Sequence, residues 1–186
     1  PRDVKVLIVT LQSSLTRQLL ATEAKLRDVA AEHMSLLGRH LPKVDVICKE
    51  IQKRAAAATG AIRESCLRAL AFLAAAAAHR VSPPIVALAV EVLHESLEDD
   101  DALFRAHAAR ALGAFLVSME PEEAGALVDE VTAAAEASSD SAGDWRDART
   151  RIRALSAFLA LGSASQAVID RASSAILALS QAAKHP

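Results

Sequence analysis

The sequence predicts an all-α protein in which antiparallel helical hairpins stack into a solenoid. Hydrophobic residues make up 52% of the 186 residues, yet aromatic residues make up only 3% and tyrosine is absent. Alanine is the commonest apolar residue and favours helices, whereas strands require more β-branched and aromatic side chains. With six glycines and six prolines, the chain also lacks the composition of a disordered protein.

A register repeated four times supports the solenoid. Counting from an arginine, an apolar residue stands at −1, a small residue at +3, and large apolar residues at +7 and +10. Fifteen of the sixteen positions fit, with Thr150 as the exception, and the arginines are 36, 42 and 46 residues apart. This period is typical of HEAT/armadillo-like solenoids. We call the four the column arginines: Arg27, Arg63, Arg105 and Arg151.

Apolar spacings of three and four residues predict the individual helices. They are expected at residues 3–20, 24–40, 43–58, 61–80, 82–97, 101–116, 120–137, 144–161 and 164–184. Paired in order, they give about four and a half repeats within one domain, with boundaries near 1–41, 42–81, 82–119, 120–162 and a half repeat at 163–186. We expect the chain to be a segment of a larger HEAT-repeat protein.

Turn and capping residues separate these helices. Gly38 and Pro42 are stop signals for the second helix, and Thr59-Gly60 is predicted to separate the third helix from the fourth. Pro83 is tolerated in a first turn, and the acidic turn at 98–101 supplies capping side chains for the Arg105 helix. The stretch at 138–143 is predicted to be the most polar and turn-rich connection in the chain. Its serines are candidate phosphate acceptors, as in any exposed serine-rich loop: Ser138, Ser139 and Ser141.

Composition and motifs exclude several classes of function. A net charge of −2 gives no overall basic surface for nucleic acid or an acidic membrane. The longest apolar run is 69–78, about half the roughly 20 residues of a membrane-spanning helix. Cys48 and Cys66 fall on apolar stripes and are predicted to be reduced core residues. No histidine has metal-ligand spacing and no phosphate-binding glycine motif is present, so we expect no enzyme, no cofactor and no metal.

The column arginines lie at the edge of the packed helix face, about 65° from its centre. One interpretation is a structural ladder in which each guanidinium pairs with an acid of a neighbouring repeat. Asp99 or Asp101 are the expected partners of Arg105, and Asp144 or Asp147 those of Arg151. The alternative interpretation is that a column arginine contacts a partner protein.

Positions +2 and +5 are predicted to point away from the packed stripe. They are Val29 and Glu32, Ser65 and Arg68, His107 and Arg110, and Arg153 and Ser156. From the second repeat onward this surface becomes basic, with Arg146 and Arg149 beside it. It is either a solvated face or a docking surface for an acidic partner.

Trp145, the only tryptophan, begins a predicted helix. It either packs beneath the preceding loop as a hydrophobic staple or is an exposed interface anchor. The candidate partner-binding residues are Arg68, Arg105, His107, Arg110, Trp145, Arg149 and Arg153.

Several short motifs occur in an order and spacing that resemble a known family. They are L-Q-S-S-L at 11–15, L-R at 26–27, K-V-D at 43–45, L-R-A-L-A-F at 67–72, the acidic turn with Arg105, and G-D-W at 143–145. Together they resemble the C-terminal HEAT-repeat region of the eukaryotic general-control translational activator, over about residues 11–160. The alanine enrichment and the 138–143 loop depart from that pattern, and the tract after Gly162 matches least well.

The resemblance implies a non-enzymatic scaffold segment of a ribosome-associated, cytoplasmic protein. Members help to activate the general-control kinase of translation initiation factor two during amino-acid starvation, and their C-terminal region binds the RWD domain of that kinase. The ribosome is an expected partner through the full-length protein; no small-molecule substrate and no membrane are expected. No kinase-contacting residue of the family is carried over onto this chain. The alternatives are a purely architectural spacer, or a HEAT segment of another scaffold such as a transport or proteasome-associated factor.

Overall fold

The computed structural model describes residues 2–140, 145–161 and 166–182. Regular structure in these residues is entirely helical, which confirms the all-α prediction. The helices are α1 (Arg2–Gln18), α2 (Ala24–His40), α3 (Val44–Ala57), α4 (Gly60–Ala77), α5 (Pro83–Ser96), α6 (Ala102–Leu116), α7 (Pro121–Asp140), α8 (Trp145–Leu161) and α9 (Gln166–Ala182), with a short 3₁₀ helix at Ala78–Arg80.

Consecutive helices pack as hairpins: α1 on α2, α3 on α4, α5 on α6 and α7 on α8. The second helices of these hairpins form one continuous layer, in which α2 stacks on α4, α4 on α6 and α6 on α8. In the other layer α3 packs on α5 and α7 on α9. This two-layer arrangement is a HEAT/armadillo-like α-solenoid, as the sequence predicts. The repeat boundaries given above stay a prediction.

The local signals at the helix starts act as the sequence indicates. The carboxylate of Asp101 accepts a hydrogen bond from the Leu103 N–H at 2.8 Å and so caps α6. Pro83 occupies the first turn of α5. Gly60 begins α4 with a φ of 55°, a left-handed conformation that favours glycine.

The register correctly predicts most of the core. Met34, Leu70 and Leu112, all at +7, are fully buried. Leu26 at −1 was expected in the core but is 42% exposed. At 100° per residue it lies about 120° around α2 from Gly38, which faces α4, so the stacking contact does not cover it. Conversely, the polar exception Thr150 is buried, while the Phe158 and Leu161 side chains lie outside the described residues.

Gly38 is needed for packing more than for ending a helix. A Cβ at this position would lie 2.8 Å from Leu73 Cδ1 and 3.4 Å from Ala77 Cβ. The backbone of α2 therefore approaches α4 more closely than a side chain would allow. α2 itself continues past Gly38 to His40.

Both cysteines are free and buried, as predicted. Burial, which disfavours the thiolate, raises the pKa of Cys48 to about 12 and that of Cys66 to about 11. Within the described residues, no helix is both long and apolar enough to span a bilayer.

Candidate functional site

Two of the column arginines close the turn of their own hairpin. Arg27 Nη1 donates hydrogen bonds of 2.8 Å to both carbonyl oxygens of residues 21–22. Arg105 Nη1 donates to the carbonyl oxygens of residues 99–100, at 2.5 and 2.9 Å. Each arginine thus binds the carbonyls five and six residues before itself, so the same contact recurs two repeats apart.

The predicted pairing of Arg105 with the carboxylate of Asp99 or Asp101 is wrong. Arg105 binds the main-chain carbonyl of Asp99, while the Asp99 carboxylate lies 3.1 Å from Arg63 Nη1 and that of Asp101 caps α6. Both carboxylates are engaged elsewhere, and the guanidinium binds main-chain carbonyl oxygens of the turn instead. Arg105 is only 8% exposed, so it stabilises the fold and is not available on the surface.

The other two column arginines reach the turn of the third hairpin from either side. Arg63, on α4, donates to Ser96 Oγ at 3.2 Å in addition to its ion pair with Asp99. Arg151, on α8 and 4% exposed, lies 3.4 Å from Glu98 Oε1. These contacts join neighbouring hairpins, as the structural-ladder interpretation predicts, but the acids involved differ from the predicted ones. The acids predicted for Arg151, at 144 and 147, have side chains outside the described residues.

The candidate binding surface runs along the outer side of the second helices. On α4, Arg68 forms ion pairs with Asp28 at 2.7 Å and Glu32 at 2.8 Å, both on α2. Its guanidinium carbon lies 5.9 Å from the centre of the Phe72 ring. At this junction α2 supplies two carboxylates for one arginine, so the basic character predicted for Arg68 is neutralised within the protein.

His107, on α6, lies with its Nε2 3.8 Å from Glu64 Oε1 on α4. Its pKa is nevertheless below the usual 6.5, because burial disfavours the imidazolium and the nearby charges of Arg68 and Arg110 add to that effect. The attraction of Asp101 is weaker. His107 is therefore neutral at pH 7 and contributes no positive charge to the face.

Arg110 and Arg153 are exposed on α6 and α8. The Arg110 guanidinium carbon lies 5.5 Å from the Phe72 ring centre, on the ring that Arg68 also contacts. Among the described residues no carboxylate lies within ion-pair distance of either arginine, in contrast to Arg68. Arg149, one turn before Arg153, is also exposed but has an interaction of its own. The uncompensated positive charge of the face therefore lies on Arg110 of α6 and Arg153 of α8.

Comparison with protein families decides what kind of solenoid this is. The family model for stalled ribosome sensor GCN1-like HEAT repeats matches residues 45–180. The chain belongs to this GCN1-like HEAT-repeat family. The match covers well over half of the chain and confirms the resemblance drawn from the sequence motifs.

Two solved structures similar to this GCN1-like segment are engineered proteins. The crystal structure of an engineered protein aligns with a TM-score of 0.53 at 19% identity, covering 89% of this chain and 68% of that one. A designed armadillo repeat protein, in complex with the peptide (KR)4, aligns with a TM-score of 0.44 at 16% identity, covering 89% and 80%. Comparison with curated proteins gives no match.

Two sequence-based expectations about the face of this GCN1-like chain need revision. Ser65 was expected to point outward but is buried, because it accepts a hydrogen bond from Arg27 Nε at 3.2 Å and donates to the Ala61 carbonyl at 2.8 Å. Position +2 of α4 therefore faces the preceding hairpin. The Trp145 side chain lies outside the described residues, so both interpretations of it stay open.

Sequence reasoning missed the part that Phe72 has in this surface. Phe72 stands one turn after Arg68 on α4, a spacing at which helical side chains are neighbours, so the contact with Arg68 was open to prediction. Its contact with Arg110 joins two helices and depends on how they stack. Within the part of the chain that the structure describes, no group of three histidine, cysteine, aspartate or glutamate side chains is arranged to hold a metal ion.

Proposed function

We propose that this GCN1-like segment is a non-enzymatic, cytoplasmic scaffold that docks the RWD domain of the general-control kinase of translation initiation factor two. In the full-length protein, that contact would couple ribosome sensing to kinase activation during amino-acid starvation. The observation that supports it is the concentration of exposed, uncompensated arginines on one face of a rigid stack, marked by Arg110 and Arg153. Family membership supplies the ribosomal setting.

The buried polar side chains connect neighbouring hairpins, which supports a scaffold function. Gln52, on α3, is 4% exposed and donates to the Ile85 carbonyl at 3.1 Å, which joins two first helices. Ser96 and Arg63 join α5 to α4 in the same way. These groups hold hairpins together, as neighbour contacts do in solenoids.

A direct binding measurement tests the docking proposal. Titrating the isolated RWD domain into the chain by calorimetry should give a 1:1 complex whose affinity falls as salt rises, because the contacts are between exposed charges. Affinity on the order of micromolar suits a small, polar interface. Failure to bind at about 100 times that concentration, with the helical circular dichroism intact, would contradict the proposal.

A second candidate function is that of an architectural spacer, and one observation favours it. Among the residues whose side chains the structure describes, twelve large hydrophobic residues are exposed, and eight of them lie in or beside the first hairpin, including Val6, Leu7, Val9 and Leu36. Such a surface is suited to stacking on another helical hairpin. Under this alternative the RWD domain would not bind, whereas a chain carrying a further family hairpin before α1 would unfold at higher temperature. Membership of the ribosome-sensor family favours either function over a transport or proteasome-associated scaffold.

A further inference from the structure

Charge compensation along the second helices decreases from α2 to α8. The register positions +1, +2 and +5, counted from each column arginine, recur at every junction and allow the junctions to be compared. At the α2–α4 junction Asp28 (+1) and Glu32 (+5) bind Arg68, which is at +5 of α4. The positive charge of Arg68 is fully balanced there.

At the α4–α6 junction one acid remains. Glu64, at +1 of α4, lies 3.8 Å from His107, at +2 of α6. Because the imidazole is neutral at pH 7, this junction has no excess positive charge from its +2 position. At this junction position +2 of α6 therefore lies beside position +1 of α4.

The α6–α8 junction repeats this geometry with different residues. Arg153 occupies the +2 position that His107 holds in α6. Arg110 occupies on α6 the +5 position that Glu32 holds on α2, and its guanidinium lies over Phe72 of α4. Where α4 has Glu64 at +1, α6 has Ala106, and no acidic residue occurs anywhere in α6. Since α6 stacks on α8 as α4 stacks on α6, Arg153 lies at this junction and Arg110 on the adjoining outer side of α6, and among the described residues neither has a carboxylate within ion-pair distance.

We infer that the α6–α8 junction, marked by Arg110 and Arg153, binds an acidic segment of a partner protein. Its carboxylates pair with these two guanidinium groups as Asp28 and Glu32 pair with Arg68 at the α2–α4 junction. Arg68, already bound by those two acids, stands outside the binding site. The identity of the partner rests on the function proposed above, whereas the chemistry of the junction does not.

The contact with Phe72 favours one orientation of the Arg110 side chain before any partner binds. Its guanidinium lies 5.5 Å from the Phe72 ring centre, and Arg68 on the same ring is fixed by its two ion pairs. A side chain already ordered in this way loses less conformational freedom on binding a carboxylate.

A protein carboxylate fits this junction better than a nucleic acid does. Single-stranded nucleic acids require exposed aromatic side chains for base stacking and a groove of several cations. Phe72 is partly buried and its ring is already in contact with two arginines. The net charge of −2 provides no long-range attraction for a phosphate backbone.

The test compares two double charge reversals of equal size in the full chain. One is Arg110→Glu with Arg153→Glu, and the control is Lys49→Glu with Lys53→Glu on exposed positions of α3. The probes are a fluorescein-labelled peptide of alternating glutamate and serine, an oligothymidylate of the same length, and the RWD domain. Reversal at the junction should weaken peptide binding by about tenfold or more, and the control should leave it within about twofold of the wild type. Circular dichroism establishes that both variants stay folded.

Several results would overturn the inference. They are no peptide binding by the wild type, equal weakening by both reversals, or tighter binding of the oligothymidylate than of the peptide. If the Arg110→Glu, Arg153→Glu variant binds the RWD domain as tightly as the wild type, the inference about this junction is wrong and the proposed function still stands. If the peptide binds in an Arg110- and Arg153-dependent manner while the RWD domain does not bind, the junction is supported and the proposed function fails.

Discussion

Replacing Arg105 by alanine should destabilise the protein far more than replacing Arg110 by alanine, although both are on α6. Arg105 is 8% exposed and donates two hydrogen bonds to the turn before its own helix. Arg110 is exposed, and the contact described for it is with the partly buried ring of Phe72. The pair therefore separates an arginine that holds the fold from one that is free to bind.

The expected magnitude follows from these contacts. A hydrogen bond to a charged group contributes about 1.5–3 kcal/mol, and Arg105 makes two. Part of this is recovered in the variant, because water reaches the exposed turn and because the unpartnered, buried Nε of Arg105 is removed. We expect a net loss of about 2–3 kcal/mol for Arg105→Ala. For Arg110→Ala we expect less than about 1 kcal/mol, since an exposed cation–π contact contributes no more than that.

Urea unfolding followed by circular dichroism and by Trp145 fluorescence measures both values. The two signals must coincide before a single free energy of unfolding is assigned, because solenoids can unfold in parts. Arg105→Lys, which keeps the charge but not the two-donor geometry of the guanidinium, should fall between the wild type and Arg105→Ala. Equal losses in Arg105→Ala and Arg110→Ala would refute the distinction between the two residues.

Three further predictions concern buried groups. Cys48 and Cys66, with pKa values raised to about 12 and about 11, should react with a thiol reagent at pH 8 only as the chain unfolds; rapid labelling of the native protein would contradict their burial. The folded-state pKa of His107 lies below the unfolded value near 6.5, so the unfolded chain binds more protons and stability falls as pH drops through and below 6.5. In the His107→Gln variant the melting temperature should fall less as the pH is lowered below 6.5, and a pH profile identical to that of the wild type would contradict this prediction. Gly38→Val should lower the free energy of unfolding by about 1–3 kcal/mol, because even a Cβ would lie 2.8 Å from Leu73 Cδ1; a neutral effect would show that α2 and α4 separate easily.

The helices, their order and most of the core could be predicted because their signals are local. Helical periodicity and small residues at +3 place Ala30, Cys66 and Ala108 in the core, and all three are fully buried. The same single-helix reasoning fails for Leu26 and Ser65, one exposed and the other buried. Whether the flank of a helix is covered depends on the neighbouring helix, which periodicity does not describe.

The sequence predicts that the arginines pair with acidic residues, but it does not identify which acidic residue each arginine contacts. An arginine at the edge of a packed face was expected to reach an acid, and Arg63 does reach Asp99 on the next hairpin. Which acid it reaches depends on how far each hairpin turn projects, a property of the stacked helices. The same holds for Arg68, whose two ion pairs to α2 remove it from the expected basic surface. The charge gradient along the second helices emerges only when the junctions are compared in space.

Hydrogen exchange of the chain with and without the RWD domain tests the central claim most directly, because it locates a bound partner on the two-layer fold. The account predicts slower amide exchange in α6 and α8 on binding, with α3 and α5 unchanged, and loss of that protection in the Arg110→Glu, Arg153→Glu variant. Protection confined to the first helices, or centred on α2 and Arg68, would contradict it.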